Sequence, residues 1–302
     1  MLGGNRACDR LPDTGDFANA RAHYDQGISL YAPAEHRSLL TRFGQDAGVS
    51  ILSFRSLTLW LLGYPDAALA DATRAIKDAR EIGHAASLMF ALLHGSLLHI
   101  LRGNDATVSA VSDELALLAD EKDAFFWKGL GLSVRGCLSA TTGNAAEAIH
   151  MLTSGIAPFR LTGATLWMPL HTSYLMRAYA DLGQLDDAWR CVSDAVGVIE
   201  TTKETWWEAE LYRSAGEISL QTTEPNAVKA ERYFERALAV ARQQHAKSWE
   251  LRASMSLARL WRDQRKVQQA RELLAPLYGW FTEGFETRDL IDAKALLEEL
   301  AA

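Results

Sequence analysis

Four glycines fall on a strict interval. Gly63, Gly103, Gly143 and Gly183 follow one another at steps of 40 residues, and five residues after each stands a small or β-branched residue: Ala68, Val108, Ala148 and Ala188. A second ladder runs independently, with Trp127, Trp167, Trp207 and Trp249 at steps of 40, 40 and 42. The interval of 42 recurs between Ala188 and Ala230, and the next step, to Ala270, returns to 40. One two-residue insertion between Trp207 and Ala230 explains both long steps, and the loop-like stretch 221–226 (Gln-Thr-Thr-Glu-Pro-Asn) is the place for it. A repeat of this length means stacked supersecondary units whose faces are buried only by their neighbours.

Each unit reads as two helices. In the best example, residues 164–182 carry apolar side chains at helical spacing (Leu175, Tyr179, Leu182). Gly183 then supplies the left-handed conformation that ends a helix at low cost. Residues 185–198 follow with Ala188, Val192, Ala195 and Val196 as an apolar stripe. The expected fold class is therefore all-α.

The turn sequences Leu62-Gly63-Tyr64-Pro65 and Leu182-Gly183-Gln184-Leu185-Asp186-Asp187-Ala188 resemble the tetratricopeptide (TPR) turn, over roughly residues 47–282. The unit departs from that family in its length of 40 residues and in lacking a Trp four residues before the Gly. The resemblance implies a right-handed α-solenoid of five to six TPR-like hairpins. Longer repeats of this kind resemble the sensor arrays of large bacterial signalling ATPases, including activators of the maltose-operon type. The strings Trp206-Trp207-Glu208-Ala209-Glu210-Leu211-Tyr212-Arg213, Ser248-Trp249-Glu250-Leu251-Arg252-Ala253 and Leu257-Ala258-Arg259-Leu260-Trp261 are similar to the C-terminal repeat region of bacterial multidomain proteins. So is the stretch 274–285, which holds Pro276, Trp280 and Phe285. Those proteins carry an adenylate or guanylate cyclase, or another effector, ahead of a signalling ATPase. No cyclase or ATPase motif has a counterpart here, so the resemblance carries over no catalytic residue.

Gly15 and Ala20 repeat the five-residue offset, so residues 16–31 are expected to form the second helix of an earlier unit. The expected organisation is a partial repeat and linker over 1–46, a helical array over 47–286 and a capping helix over 287–302. Leu290, Ala293, Leu296, Leu297 and Leu300 give that cap one apolar face. A start in mid-repeat is expected of the tail of a larger parent, or of its truncated descendant.

Chemistry leaves few traces in the sequence. No phosphate-binding G-x-x-x-x-G-K-[ST], no H-E-x-x-H and no G-x-S-x-G occurs. Gly129, Gly131 and Gly136 are spaced for helix packing, not for a dinucleotide fingerprint. His94 and His99, five apart, do not share a ligand face. The expectation is no catalytic residue, no metal site and no cofactor, hence a protein that is not an enzyme. The three cysteines (Cys8, Cys137, Cys191) are too scattered for a disulfide framework, which suits a reducing cytoplasm. The N-terminus lacks the apolar core of a signal peptide, and no apolar run approaches the ~20 residues of a membrane span. A net charge of −7 argues against wholesale nucleic-acid binding. The stretch 229–271 is locally basic, but its interleaved acids fit a solvated face better than a nucleic-acid ridge.

The Trp ladder is expected to fill the same gap between units each time. Less regular polar residues of the first helices, which line the concave groove of a TPR-like array, are the better binding candidates: Trp206, Glu210 and Arg213, near one face at i, i+4 and i+7, with His171, Arg177, Arg252 and Arg259. The expected function is a regulatory or protein-interaction module, with a protein partner or upstream effector and ATPase domains. The alternative is a sensor of a small, sugar-like effector held in the groove.

Overall fold

The computed structural model describes residues 14–162, 165–222 and 225–301. Among them fourteen helices of twelve residues or more succeed one another. Helix α1 (Phe17–Leu30) comes first, and short helical turns within residues 33–43 lead to the array. Six hairpins follow: α2 (Ala47–Leu61) with α3 (Pro65–Ile82), α4 (Ala85–Arg102) with α5 (Asp105–Glu121), and α6 (Phe125–Thr141) with α7 (Ala145–Thr162). Then come α8 (Met168–Asp181) with α9 (Leu185–Thr202), α10 (Glu208–Leu220) with α11 (Ala227–Gln243), and α12 (Lys247–Asp263) with α13 (Val267–Tyr278). Helix α14 (Arg288–Glu299) ends the described chain. The architecture is a right-handed α-solenoid, and α1 stands where the second helix of a preceding hairpin would stand.

The glycine ladder closes the first helix of each of the first four hairpins. Gly63, Gly103, Gly143 and Gly183 all have φ between 72° and 92°. The next residue sends its N–H back five positions, as in Tyr64 to Leu59 and Gln184 to Tyr179, both at 2.9 Å. This is the bonding of a Schellman cap. In the fifth hairpin the corresponding bond runs from Asn226 to Ser219, seven positions back at 3.0 Å. The two-residue insertion therefore lies between α10 and α11. Two of the second helices, α5 and α11, are capped at their start by Asn104 and Asn226, which accept from the N–H groups of Thr107 and Lys229.

The small residues of the ladder face the interior of the array. Ala68, Val108, Ala148, Ala188, Ala230 and Ala270 are all fully buried. Between α6 and α7 the approach is close. A Cβ on Gly155 would lie 2.8 Å from the carbonyl oxygen of Gly129, and one on Gly136 would lie 3.0 Å from the backbone nitrogen of Leu152. Helix α4 is long and apolar enough to cross a membrane by length and composition. Most of it is buried inside the array, which accounts for an apolarity that its His and Arg residues mask in the sequence.

One feature of the whole is absent from the repeat pattern. The superhelix closes on itself, so that the last units meet the first. The Trp60 ring of α2 meets the Trp249 ring of α12 edge to face at 4.8 Å. Glu283 accepts from the N–H groups of Asp66 and Ala67 at the start of α3. Arg102 reaches Glu286 at 2.6 Å, and Arg288 reaches Asp105 at 2.7 Å and the Gly103 carbonyl at 3.0 Å.

Candidate functional site

Closure turns the expected open groove into two zones. One is filled by aromatic side chains. Trp167, Trp206, Trp207 and Trp249 are almost fully buried, and the Trp207 ring meets those of Trp206 at 5.0 Å and Trp249 at 4.9 Å. Their indole N–H groups are satisfied inside: Trp207 donates to Ser173 Oγ, Trp249 to the Trp206 carbonyl and Trp206 to Glu204. The ladder is core, apart from the half-buried Trp127. The other zone is a polar cavity of about 280 Å³, walled by α4, α6, α8, α10, α12 and α14.

The expected candidates divide between these zones. Glu210, Arg213, Arg177, Arg252 and Arg259 all line the cavity. Trp206 and His171 do not. Trp206 belongs to the aromatic core, and His171 is fully buried, its imidazole held near pKa 4 by loss of solvent. As a candidate for groove binding, His171 is buried and does not line the cavity.

An ion-pair chain forms one wall. Arg213 clasps Glu210 with two bonds of 2.7 and 2.8 Å and also pairs with Glu217. Ser256 joins it, accepting from Arg213 at 3.2 Å and donating to Glu217 at 3.1 Å. Arg252 grips both carboxylate oxygens of Asp289 at 2.9 and 3.0 Å, donates to the Leu101 carbonyl at 2.8 Å and lies 3.7 Å from Glu210. Its guanidinium also faces the Trp60 and Trp249 rings at 5.0 and 5.2 Å. Burial alone would push the Glu210 carboxyl up, but the charge and hydrogen bonds of Arg213, with Arg252 behind, more than offset it and hold it below the usual carboxylate range.

Three groups at the cavity lack comparable partners. Tyr174 is nine-tenths buried, yet its hydroxyl has no hydrogen bond among the described residues. Burial raises that phenol well above its ordinary range, so it is a neutral donor. Arg259 has no ion pair, hydrogen bond or aromatic contact among the described residues. Arg177 has only Asp181, at 3.9 Å.

Among the described residues no group of three or more His, Cys, Asp or Glu is placed to hold a metal ion. Cys137 and Cys191 are buried, Cys137 with its thiol pushed up by burial, while Cys8 lies outside the described residues. About half of the basic side chains in the stretch 229–271 are paired in place, among them Arg236 with Glu208, Arg242 and Lys247 with Glu250, Arg262 with Glu299 and Lys266 with Glu231.

Sequence reasoning missed Tyr174, Glu217, Asp289 and Arg288. Glu217 was within reach, since it stands four residues from Arg213 on the face that also holds Glu210. Asp289 and Arg288 had no local signal, because only ring closure brings the cap to this wall.

No family model matches this chain. A stretch of 188 residues is 27% identical to an uncharacterized protein, R02095, of Rhizobium meliloti (strain 1021). The match takes in 62% of this chain but 18% of that protein, so the chain spans less than a fifth of the relative's length. Among solved structures, the apo form of RapI superposes with a TM-score of 0.58 at 11% identity, covering 94% of this chain and 93% of that one. Yeast Tom70 superposes with a TM-score of 0.52 at 13% identity, covering 93% of this chain and 59% of that one. Both are TPR-like helical repeat proteins, and at these identities the likeness shows the fold alone. The chain has a TPR-like fold.

Proposed function

We propose that this chain is a non-catalytic regulatory module of a bacterial cytoplasmic signalling protein, one that engages a protein partner or neighbouring effector domains and changes shape when its cavity is filled. One observation carries the reading: the cavity and the closing seam share residues. Arg252 lines the cavity, grips Asp289 of α14 and bonds the Leu101 carbonyl of α4. Arg288 also lines the cavity while holding Gly103 and Asp105 of the second hairpin. A ligand that draws on either arginine alters the bonds between the ends of the superhelix. Such a ligand shifts the equilibrium between closed and open forms by as much as its affinities for the two differ. The small-effector reading, with a sugar-like ligand as one form of it, gains support from the cavity's size, because a pocket near 300 Å³ is at the small end for ligands and too small for a peptide helix.

Affinity purification from the source cell tests the partner role, with the intact chain beside the seam variant Glu286→Ala. One protein recovered in stoichiometric yield, with recovery changed by the variant, is the expected outcome. A folded bait that recovers no specific protein rejects it.

A further inference from the structure

The walls of the cavity also say what charge it takes. Most of its ionic groups already answer one another: Arg213 with Glu210 and Glu217, Arg252 with Asp289, and Arg288 with Asp105 outside the wall. What remains unused is donors. Tyr174, whose side chain is mostly buried and whose hydroxyl makes no hydrogen bond among the described residues, lines the cavity with Arg177 one turn along α8. Arg259 approaches from α12, two turns beyond Arg252 and on the same face, without any partner among the described residues. Among the described residues, the one carboxylate of the lining without a partner, Asp292, is exposed.

The Tyr174 hydroxyl opens onto the cavity and is free to donate to a ligand oxygen. Guanidinium groups favour oxyanions because their N–H forks match carboxylate and phosphate oxygens. We infer that the cavity binds a small organic oxyanion, a phosphate monoester or a polycarboxylate, whose anionic head is held by Arg259, Arg177 and the Tyr174 hydroxyl. The neighbouring Ser214 and Thr141 face its remaining polar atoms. The inference rests on the cavity being a ligand site and does not depend on a protein partner, so failure to capture a partner leaves it standing.

The test is isothermal titration calorimetry on the full chain with glucose 6-phosphate and citrate as probes, beside glucose and spermidine as neutral and cationic controls. At least one oxyanion is expected to bind saturably at 1:1, at least tenfold more tightly than either control. Arg259→Gln and Tyr174→Phe should each weaken that binding at least tenfold, and the exposed Arg271→Gln should not change it. Preference for glucose 6-phosphate would assign the phosphate ester, and preference for citrate the polycarboxylate. Absence of saturable binding by both oxyanions to folded protein overturns the inference. So does equal binding of glucose, or binding that survives both cavity variants. Arg259→Lys separates charge from shape: retained charge without the planar fork should recover part of the lost affinity.

Discussion

Glu210 stands between two guanidinium groups in a wall that water scarcely reaches, clasped by Arg213 and facing Arg252 at 3.7 Å. Removing one partner of a buried pair leaves the other charge uncompensated, at about 3–5 kcal/mol. Glu210→Ala is therefore expected to lower unfolding stability by about 3 kcal/mol in urea denaturation, whereas Tyr174→Phe, which removes a hydroxyl that bonds nothing, should leave it nearly unchanged. Buried histidines give a second prediction. His94 lies among Phe54, Phe90 and Trp167, and burial lowers its pKa, like that of His171, to about 4. In the unfolded chain both titrate near 6.5. Between those values the unfolded state binds more protons, so stability present above pH 6.5 is lost as pH falls toward 4. From pH 7.5 to 5 each histidine should contribute a loss of about 2 kcal/mol, measured by urea melts across that range. His94→Phe should flatten the dependence by about half. Polar residues at one helical face were legible in the sequence, as Glu210 and Arg213 were. The direction of His171 and Trp206 was not, because the register that points a side chain to cavity or core depends on how consecutive hairpins are rotated.

At the level of the helix and its turn, the 40-residue unit was legible wherever the left-handed position is held by glycine. The turns from second to first helices were not, since four of them place Asp123, Trp167, Lys203 and His245 at φ of 47°, 66°, 63° and 54°. The last hairpin hides its own turn in the same way, with Arg265 at φ 64° where the ladder would have glycine. An L-residue in that conformation costs about 1–2 kcal/mol, partly balanced by the extra freedom glycine has in the unfolded chain. Arg265 is exposed and makes no contact that would be lost. Arg265→Gly should therefore stabilise the protein by about 0.5–1 kcal/mol, read as a rise in thermal midpoint. Gly183→Ala should cost about 1 kcal/mol by strain alone, since nothing lies within 4 Å of its would-be Cβ. Gly155→Ala should cost more, about 1–3 kcal/mol, because its new carbon meets the backbone of α6, which cannot turn aside as a side chain would.

For the molecule as a whole, the period showed that units stack, but not that the stack would close. Closure depends on the small rotation between successive units, which no single unit encodes and which only accumulates over six hairpins. Its physical expression is a polar seam laid beside the Trp60–Trp249 contact. In that seam Arg102, itself nearly buried, bonds the Pro65 carbonyl and Glu286, while Gly284 donates to Asp66 at 2.9 Å. Arg102→Ala leaves those acceptors without their cation, yet touches none of the aromatic packing that joins neighbouring hairpins. The seam should then open locally while the array persists. Amide hydrogen exchange is expected to quicken in residues 61–68 and 281–300 and to stay unchanged in α8 and α9. Small-angle scattering should show a larger radius of gyration, with helical circular dichroism preserved. If exchange instead quickened along all hairpins alike, the seam would be part of one cooperative core and not a joint. An oxyanion that saturates the cavity should then leave the exchange of residues 281–300 as it found it. A joint predicts the opposite, a bound ligand that changes seam exchange in the intact chain through Arg252 and Arg288, and a smaller change in Arg102→Ala.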